Sequence, residues 1–553
     1  MFAANRIEFT GVTGERSDNV NLYLARFEPS QINKSARFKA RVAEQIRLAL
    51  RAHGHYTAQI TFEEKMDGSD LVLIAHVKAT KYTFIEVLDL QMRGEAIKDA
   101  DFLRLQQTQA PKQGDRLHHG HYEAYKKALI TLAQRKGYFD AKFDVAEFLV
   151  TPGRREATLR LHFNSGPRYR FGSVQFHGSQ ISEERLSSLI PFQPGDYYTT
   201  ELLGKFNQNL STTLWFGAVD IDADPQKRHD GVLDLNVHLA PAVKNTVEMG
   251  LGFVTDVGPR LKASWDKPWL NSRGHSLTAD MALSTKEQSI ETSYKFPLKD
   301  VQHDFYQAGL ALKHTNLLDT ESRLVNLKLE RQWYLGDDWY RIASVRWLRE
   351  DYRQALQRDI SNLILPGFSL RQSYDSGGSM PMQGQNVLVS VEVANQAWGA
   401  DTDFTVLRAR AGRIGSFDTD HRYLLRVDAG AILQEQLASI PASLRLFAGG
   451  DYSVRGYGYQ TISPLDADGN LTGGVRLAAA SAEYQWRHRG NWWLASFVDV
   501  GSVWNDSPEW KKSIGMGVRW ASPIGPIRLD LAYGLDKQPS PGFRLHFTLG
   551  PEL

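Results

Sequence analysis

The residues of this 553-residue chain best suited to chemistry lie in one glycine-rich stretch, Gly449-Gly450-Asp451-Tyr452-Ser453-Val454-Arg455-Gly456-Tyr457. Two chemistries suit such a stretch. A phosphate-cradling loop needs a Lys-Ser/Thr ending and a following helix, and neither is present. An arginine tether needs a carboxylate, and one stands in the later segment Phe497-Val498-Asp499-Val500-Gly501. Arg455 carries a planar fork of donors that Asp499 can accept bidentately, with Glu483 as a second acceptor on the preceding strand. The flanking glycines permit a tight turn, and Tyr457 can pack beside the wall that carries the carboxylates.

Other reactive groupings are sparse. His118, His119 and His121 form a cluster, but no Asp, Glu or His at helical spacing completes a ligand set. The segment reads as an exposed loop leading into a helix, so the expected metal content is none. There is no cysteine, which excludes thiol chemistry, Cys-ligated metals and disulfides. No Gly-x-Ser-x-Gly occurs and no His stands near a nucleophilic Ser. The expectation is a protein that is not an enzyme and has no cofactor. The net charge of +2 gives no general attraction to nucleic acid.

The elements that must position Arg455 and Asp499 are strands. From about Asn245 onward, segments alternate apolar with polar or small residues: Leu277, Ala279, Met281, Leu283; Val387, Val389, Val391, Val393; Tyr423, Leu425, Val427, Ala429. A period of two means strands with one apolar face, and about sixteen such segments fit the remaining length. Turn residues separate them, as in Asp256-Val257-Gly258-Pro259, Leu335-Gly336-Asp337-Asp338 and Ser522-Pro523-Ile524-Gly525-Pro526. Trp265, Trp269, Trp333, Tyr334, Trp339, Trp347, Trp492, Trp493 and Trp504 fall at segment ends, where an interfacial girdle would sit. No stretch reaches the ~20 apolar residues of a spanning helix, whereas a barrel strand needs only about 9–11. A soluble sandwich tolerates the same alternation, although single charges such as Arg408, Arg410, Arg426, Asp428, Arg528 and Asp530 stand between apolar neighbours. In a barrel, 449–457 becomes a loop folded into the lumen. Its tether there contributes about 1–3 kcal/mol, and serves registry more than bulk stability.

The first half repeats. Gly11, Gly94 and Gly178 end similar short strands, and Gly54-His55-Tyr56, Gly137-Tyr138-Phe139 and Trp215-Phe216-Gly217 keep the same beat. Each unit reads β-α-α-β-β. In the second, Tyr122, Tyr125, Ala128, Leu129, Leu132 and Ala133 form one helical stripe over 122–136, before strands at 141–150 and 157–163. The expected domains are 1–81, 82–166, 167–243 and a barrel over 244–553.

Order, size and the Gly-aromatic helix stop resemble POTRA domains, modules that can add a client strand to an exposed sheet edge. The Val-Arg-Gly-Tyr loop at 454–457 and the Phe-x-Asp-x-Gly segment at 497–501 resemble those of the BamA/TamA superfamily. Three repeats, the closing Gly-Pro-Glu-Leu and the stretch 518–527 place the resemblance nearest its TamA-type branch, over essentially the whole chain. Tyr457 replaces the Phe of many members, a change both shapes can serve.

The resemblance implies three POTRA domains feeding a 16-stranded antiparallel transmembrane barrel. Its location would be the Gram-negative outer membrane with the repeats in the periplasm, residue 1 lying just after a removed signal peptide. It implies a factor that inserts autotransporters and other barrel proteins through a seam between the first and last strands. That seam would be formed by Val247, Met249, Leu251 and Phe253 with Phe543, Leu545, Phe547 and Leu549, the last strand being short between Gly542 and Gly550. It also implies a TamB-like, inner-membrane-anchored partner on the first repeat, and contact with nascent clients and outer-membrane lipid. The alternative is a two-partner-type secretion pore exporting one passenger. Such pores usually carry two repeats and an N-terminal plug helix; here three repeats and no plug helix are read.

Overall fold

The computed structural model describes residues 5–549, apart from 69, 80, 224–230, 255–257, 435, 523–524 and 537–541. Asp256, Val257, Pro523, Ile524 and Gly550, named above in turns and at the strand end, lie outside the described residues. So does the side chain of Phe253. The chain divides into two compact units, one holding Met1–Gln175 and the other His238–Leu553, and the division runs through the third repeat.

Each repeat builds a small three-stranded sheet with its helices. The first comprises β1 (Arg6–Thr10), α1 (Glu15–Leu24), α2 (Ala36–Arg51), β2 (Gln59–Asp67) and β3 (Asp70–Lys78). Its strand order is β1-β3-β2, with β1 parallel to the central strand and β2 antiparallel. The centre is β3 because Leu71, Val72, Leu73, Ala75 and Val77 are all buried. Over it lies α2, started by Ser35, whose Oγ accepts from the Phe38 amide at 3.2 Å. It buries Phe38, Val42, Ile46, Ala49 and Leu50 at helical spacing.

The second repeat is β4 (Phe84–Arg93), α3 (Ala100–Gln109), α4 (His119–Lys136), β5 (Lys142–Thr151) and β6 (Glu156–Asn164), in the order β4-β6-β5. Tyr122, Tyr125, Leu129 and Ala133 form the buried stripe of α4. The third, β7 (Arg170–His177), α5 (Glu183–Ser187), α6 (Thr200–Thr212), β8 (Phe216–Asp222) and β9 (Val232–Pro241), again puts its last strand in the middle. The repeated glycine has one cause in all three. A Cβ on Gly11, Gly94 or Gly178 would meet Val77 O at 2.0 Å, Ser165 Oγ at 2.4 Å or Leu239 O at 2.6 Å. Each glycine ends the first strand where the chain passes directly against the last strand or the residues just beyond it.

The remaining strands, β10 to β25, form one sixteen-stranded antiparallel sheet in sequence order, the number the alternation predicts. It runs from β10 (Thr246–Val254) to β25 (Phe543–Leu549). In chain order its middle strands are the longest, up to 19 residues in β17 (Gln357–Asp375), against nine in β10 and seven in β25. Its two faces decide between barrel and sandwich. Along β24 (Gly525–Gly534), Leu529, Leu531 and Tyr533 are exposed while Arg528 and Asp530 are buried. Apolar side chains outside and charges inside invert a water-soluble β protein, and suit a barrel whose outer face meets lipid. Among the described residues no helix is long and apolar enough to cross a membrane.

Two aromatics depart from the expected girdle. Trp347 lies in the middle of β16 (Trp339–Gln354). Trp493 is buried and faces inward, with the guanidinium carbons of Arg487 and Arg422 4.7 and 5.3 Å from its ring centre. Its neighbour Trp492 is exposed and stacks on Trp520, centres 5.8 Å apart. One residue's difference in parity reverses the face.

Candidate functional site

The glycine-rich stretch belongs to the long connection between β20 (His421–Leu433) and β21 (Arg476–Arg489). It is folded tightly on itself. Gly450 N–H donates to Tyr457 O, Ser453 N–H to Gly450 O and Tyr457 N–H to Val454 O, each at 3.1 Å. Gly449 and Gly450 take φ of 103° and 95°, a region other residues seldom enter. Gly456 serves a different need, close approach to the wall. A Cβ there would meet Ser513 Cβ at 2.6 Å and Gly534 Cα at 2.8 Å.

Arg455 is 2% exposed. Its wall partners alternate inward along β21, β22 (Trp492–Trp504), β23 (Lys511–Ser522) and β24. Nε and the backbone amide both donate to Asp499 Oδ2 at 3.0 Å, and Nη2 donates to Asp499 Oδ1 at 2.8 Å. Nη1 donates to Glu483 Oε2 at 2.6 Å, and Nη2 also reaches Ser481 Oγ at 3.1 Å. The Phe497 ring lies beneath, its centre 3.3 Å from the guanidinium carbon, adding cation–π attraction in a site without water screening. Gly501 makes room for the loop, since a Cβ there would stand 2.8 Å from Val454 Cγ2. Val454 itself is fully buried.

Further residues complete the site. Arg519 donates from Nε and Nη2 to Glu483 Oε1 at 3.1 and 2.8 Å, and its Nη1 stands 2.6 Å from Asp530 Oδ1. Asp530 Oδ2 is in turn 3.6 Å from Arg455 Nη1, and Ser513 Oγ donates to Asp499 Oδ2 at 3.2 Å. Three carboxylates thus enclose two guanidiniums. This is a buried network rather than the single modest tether expected from the sequence. Breaking such a network costs about 3–5 kcal/mol, because a buried charge is left uncompensated. Tyr457 is buried and donates from its hydroxyl to Asp536.

The same loop reaches the last strand. His546 of β25 is buried and donates from Nε2 to Arg455 O at 2.6 Å. Its Nδ1 pairs with the buried carboxylate of Asp451. The spacing of residues gives no hint of this contact. The only sequence sign is a polar residue at an inward position of the strand.

The seam residues are placed differently. Val247, Met249 and Leu251 are 60%, 80% and 84% exposed, and Phe543, Leu545 and Leu549 are exposed as well, with Phe547 half-buried. Both faces of β10 are exposed from Thr246 through Gly252. Cα atoms of β10 and β25 approach within 8 Å, yet no ladder joins the two strands among the described residues.

Of the histidine cluster, His118 and His119 are half-buried and His121 is exposed, and the neighbours of the first two come from the first repeat. His119 is hydrogen-bonded through Nε2 to the Tyr56 hydroxyl at 2.6 Å. His118 lies edge-on to His53, ring centres 4.7 Å apart. A search at helical spacing misses such partners because they stand some sixty residues away in the chain. Burial, ahead of any neighbouring charge, holds His53, His118 and His119 below the ordinary imidazole value.

A barrel of sixteen strands carrying an arginine-tethered inner loop, preceded by small repeated domains, defines a class of outer-membrane-type barrel proteins. Residues 251–552 match the Omp85 superfamily domain, and the chain belongs to the Omp85 superfamily. Residues 6–79 match a POTRA domain described as TamA domain 1, and residues 169–240 match a POTRA family described as surface antigen variable number repeat. The outer membrane protein assembly factor BamA of Nitratidesulfovibrio vulgaris is 24% identical over 387 residues, 62% of this chain and 46% of that protein. BamA of Buchnera aphidicola subsp. Acyrthosiphon pisum is 23% identical over 146 residues, 26% of this chain and 24% of that one. The matched part is thus less than half the length of either relative. The crystal structure of BamA from Haemophilus ducreyi lacking POTRA domains 1–3 superposes with a TM-score of 0.68 at 15% identity, covering 84% of this chain and 99% of that one. At that identity the likeness is one of fold.

Proposed function

We propose that this chain is an outer-membrane assembly and translocation factor that inserts client barrel proteins, autotransporters among them, through the seam between β10 and β25. The observation that carries this reading is the seam itself. Two short neighbouring strands, one exposed on both faces, share no ladder among the described residues. Unpaired strand edges seek partners, so a client strand could add there by ordinary sheet pairing. The buried Arg455 network keeps the neighbouring wall in register while this happens.

In this reading residues 1–81, 82–166 and 167–243 are periplasmic docking modules, and 244–553 is the barrel in the outer membrane. The work is non-enzymatic. A periplasm-spanning TamB-like partner docks on the first repeat, in keeping with the family match of residues 6–79. Clients and outer-membrane lipid meet the barrel at the seam.

The test is a seam lock. Cysteines replace one of Val247, Met249 or Leu251 and one of Phe543 or Leu545, and the pair that oxidises in vesicles is retained. Insertion of an autotransporter client should stop on oxidation and return on reduction. Full insertion by the oxidised barrel would overturn the reading. In parallel, deletion of residues 1–81 should abolish co-purification of the TamB-like partner.

A further inference from the structure

We propose that Glu15, His53 and His118 form a binding site for a borderline divalent metal ion such as zinc, bridging the first and second repeats. Each residue offers one ligand atom, and the three atoms lie within 4.8 Å of one another. They come from three places in the chain: the first turn of α1, the residues just after α2, and the N-cap of α4.

The joint is fixed by backbone contacts that hold the two imidazoles together before any ion arrives. His119 N–H donates to Ala52 O at 2.9 Å, and Thr83 N–H to Gly54 O at 3.0 Å. The chains pass so closely that a Cβ on Gly54 would stand 2.5 Å from Leu117 O. His53 is thereby set edge-on to His118. His118 Nδ1 accepts the His121 amide at 3.3 Å, so Nε2 is the nitrogen left to bind. Glu15 makes no ion pair among the described residues, and it is exposed, so its carboxylate is free to swing.

Two neighbouring histidines are engaged elsewhere, and a third, the exposed His121, stacks on the His118 ring, centres 4.3 Å apart. His119 bonds Tyr56, and His55 lies against the Tyr82 ring with Arg16 Nη1 at 3.4 Å from its Nε2. Two imidazoles and one carboxylate are ligands that zinc and its neighbours in the series accept. Around one ion, bonds of about 2.0–2.2 Å put ligand atoms roughly 3.3 Å apart. The present spread of at most 4.8 Å closes to that through rotation of the exposed Glu15 carboxylate and small turns of the two imidazole rings. The start of α4 carries partial positive charge that opposes a cation weakly; water fills the remaining positions on the exposed side. A bound ion would tie α1 and α2 to α4 and stiffen the joint.

The test uses the full-length chain without an affinity tag, in detergent micelles, titrated with zinc alone by calorimetry. One ion should bind per chain. His53→Ala and His118→Asn should each weaken binding at least tenfold, and Glu15→Gln less; Asn retains the capping function at the start of α4. His303→Ala, at a half-buried histidine beside Asp300 in the barrel, should leave zinc uptake unchanged. At zinc a hundredfold above its dissociation constant, hydrogen exchange at the Thr83 and His119 amides should slow about 100-fold if it proceeds through opening of the joint. Absence of stoichiometric uptake, or equal uptake by the His53→Ala/His118→Asn double variant, would overturn the proposal.

Discussion

The wall that holds Arg455 and the seam between β10 and β25 belong to the same sheet and are built on opposite principles. At the wall, four consecutive strands turn Ser481, Glu483, Asp499, Ser513, Arg519 and Asp530 inward onto one guanidinium or its partners, all buried. At the seam, apolar side chains face outward and no ladder closes the gap among the described residues. The wall is specified by many mutually dependent contacts, each costly to leave unmade. The seam has few contacts to lose. A sheet can therefore be stiff in one sector and weak in another without any change in strand geometry, through side-chain chemistry and ladder length alone.

The largest effect should follow from Arg455→Ala. It leaves Glu483 and Asp530 with Arg519 as their ion-pair partner and strips the buried Asp499 of the guanidinium it pairs with. The expected loss is about 3–5 kcal/mol, read as a fall in the urea midpoint of the detergent-folded barrel and as new protease cleavage within 449–457. Met249→Ala at the seam should shift the same midpoint by no more than about 0.5 kcal/mol, because its side chain is largely exposed. Equal shifts in the two variants would erase the contrast between the sectors.

Much of this was legible in the residues, for physical reasons that also set the limit. Strand periodicity is local, so the alternating segments reveal the sheet, but which face of β24 is buried depends on closure of the whole sheet and is read only from the exposures of Leu529, Leu531, Arg528 and Asp530. The contact of Arg455 with Asp499 is readable because both sit in short glycine-marked motifs, and glycine there answers close packing, as at Gly456 and Gly501. Arg519 and His546 carry no such mark. Each is one polar residue on an alternating strand, and its partners lie 36 and 91 residues away for Glu483 and Arg455 respectively. Trp493 departs from the expected girdle because a tryptophan at a strand end looks the same in sequence whether its parity points to lipid or to lumen. Burial also turned a modest expected tether into a network that excludes water, which spacing alone does not report.

A smaller effect should come from His546→Gln, which probes whether the two sectors are coupled. Glutamine can still donate to Arg455 O but has no second ring nitrogen to reach Asp451. The expected cost is about 1–3 kcal/mol, concentrated in β25. Hydrogen exchange of the 543–549 peptide should accelerate while that of β22 stays constant. Uniform acceleration across both strands would mean that the loop supports the whole wall and does not fasten the last strand in particular.

Within the loop and its anchors, the mildest effect should be that of Tyr457→Phe, and its size is informative. The ring is buried against the wall, and phenylalanine would fill the same space. What is lost is one hydroxyl donor to Asp536, whose Oδ2 also accepts the Lys512 amide at 3.2 Å. Since that carboxylate keeps a partner, the expected loss is only about 0.5–1.5 kcal/mol, read from the urea midpoint of the detergent-folded barrel. A drop comparable to that of Arg455→Ala would place the anchoring of the loop in Asp536 instead of Asp499, and would move the stiff sector of the barrel toward β25 and the seam.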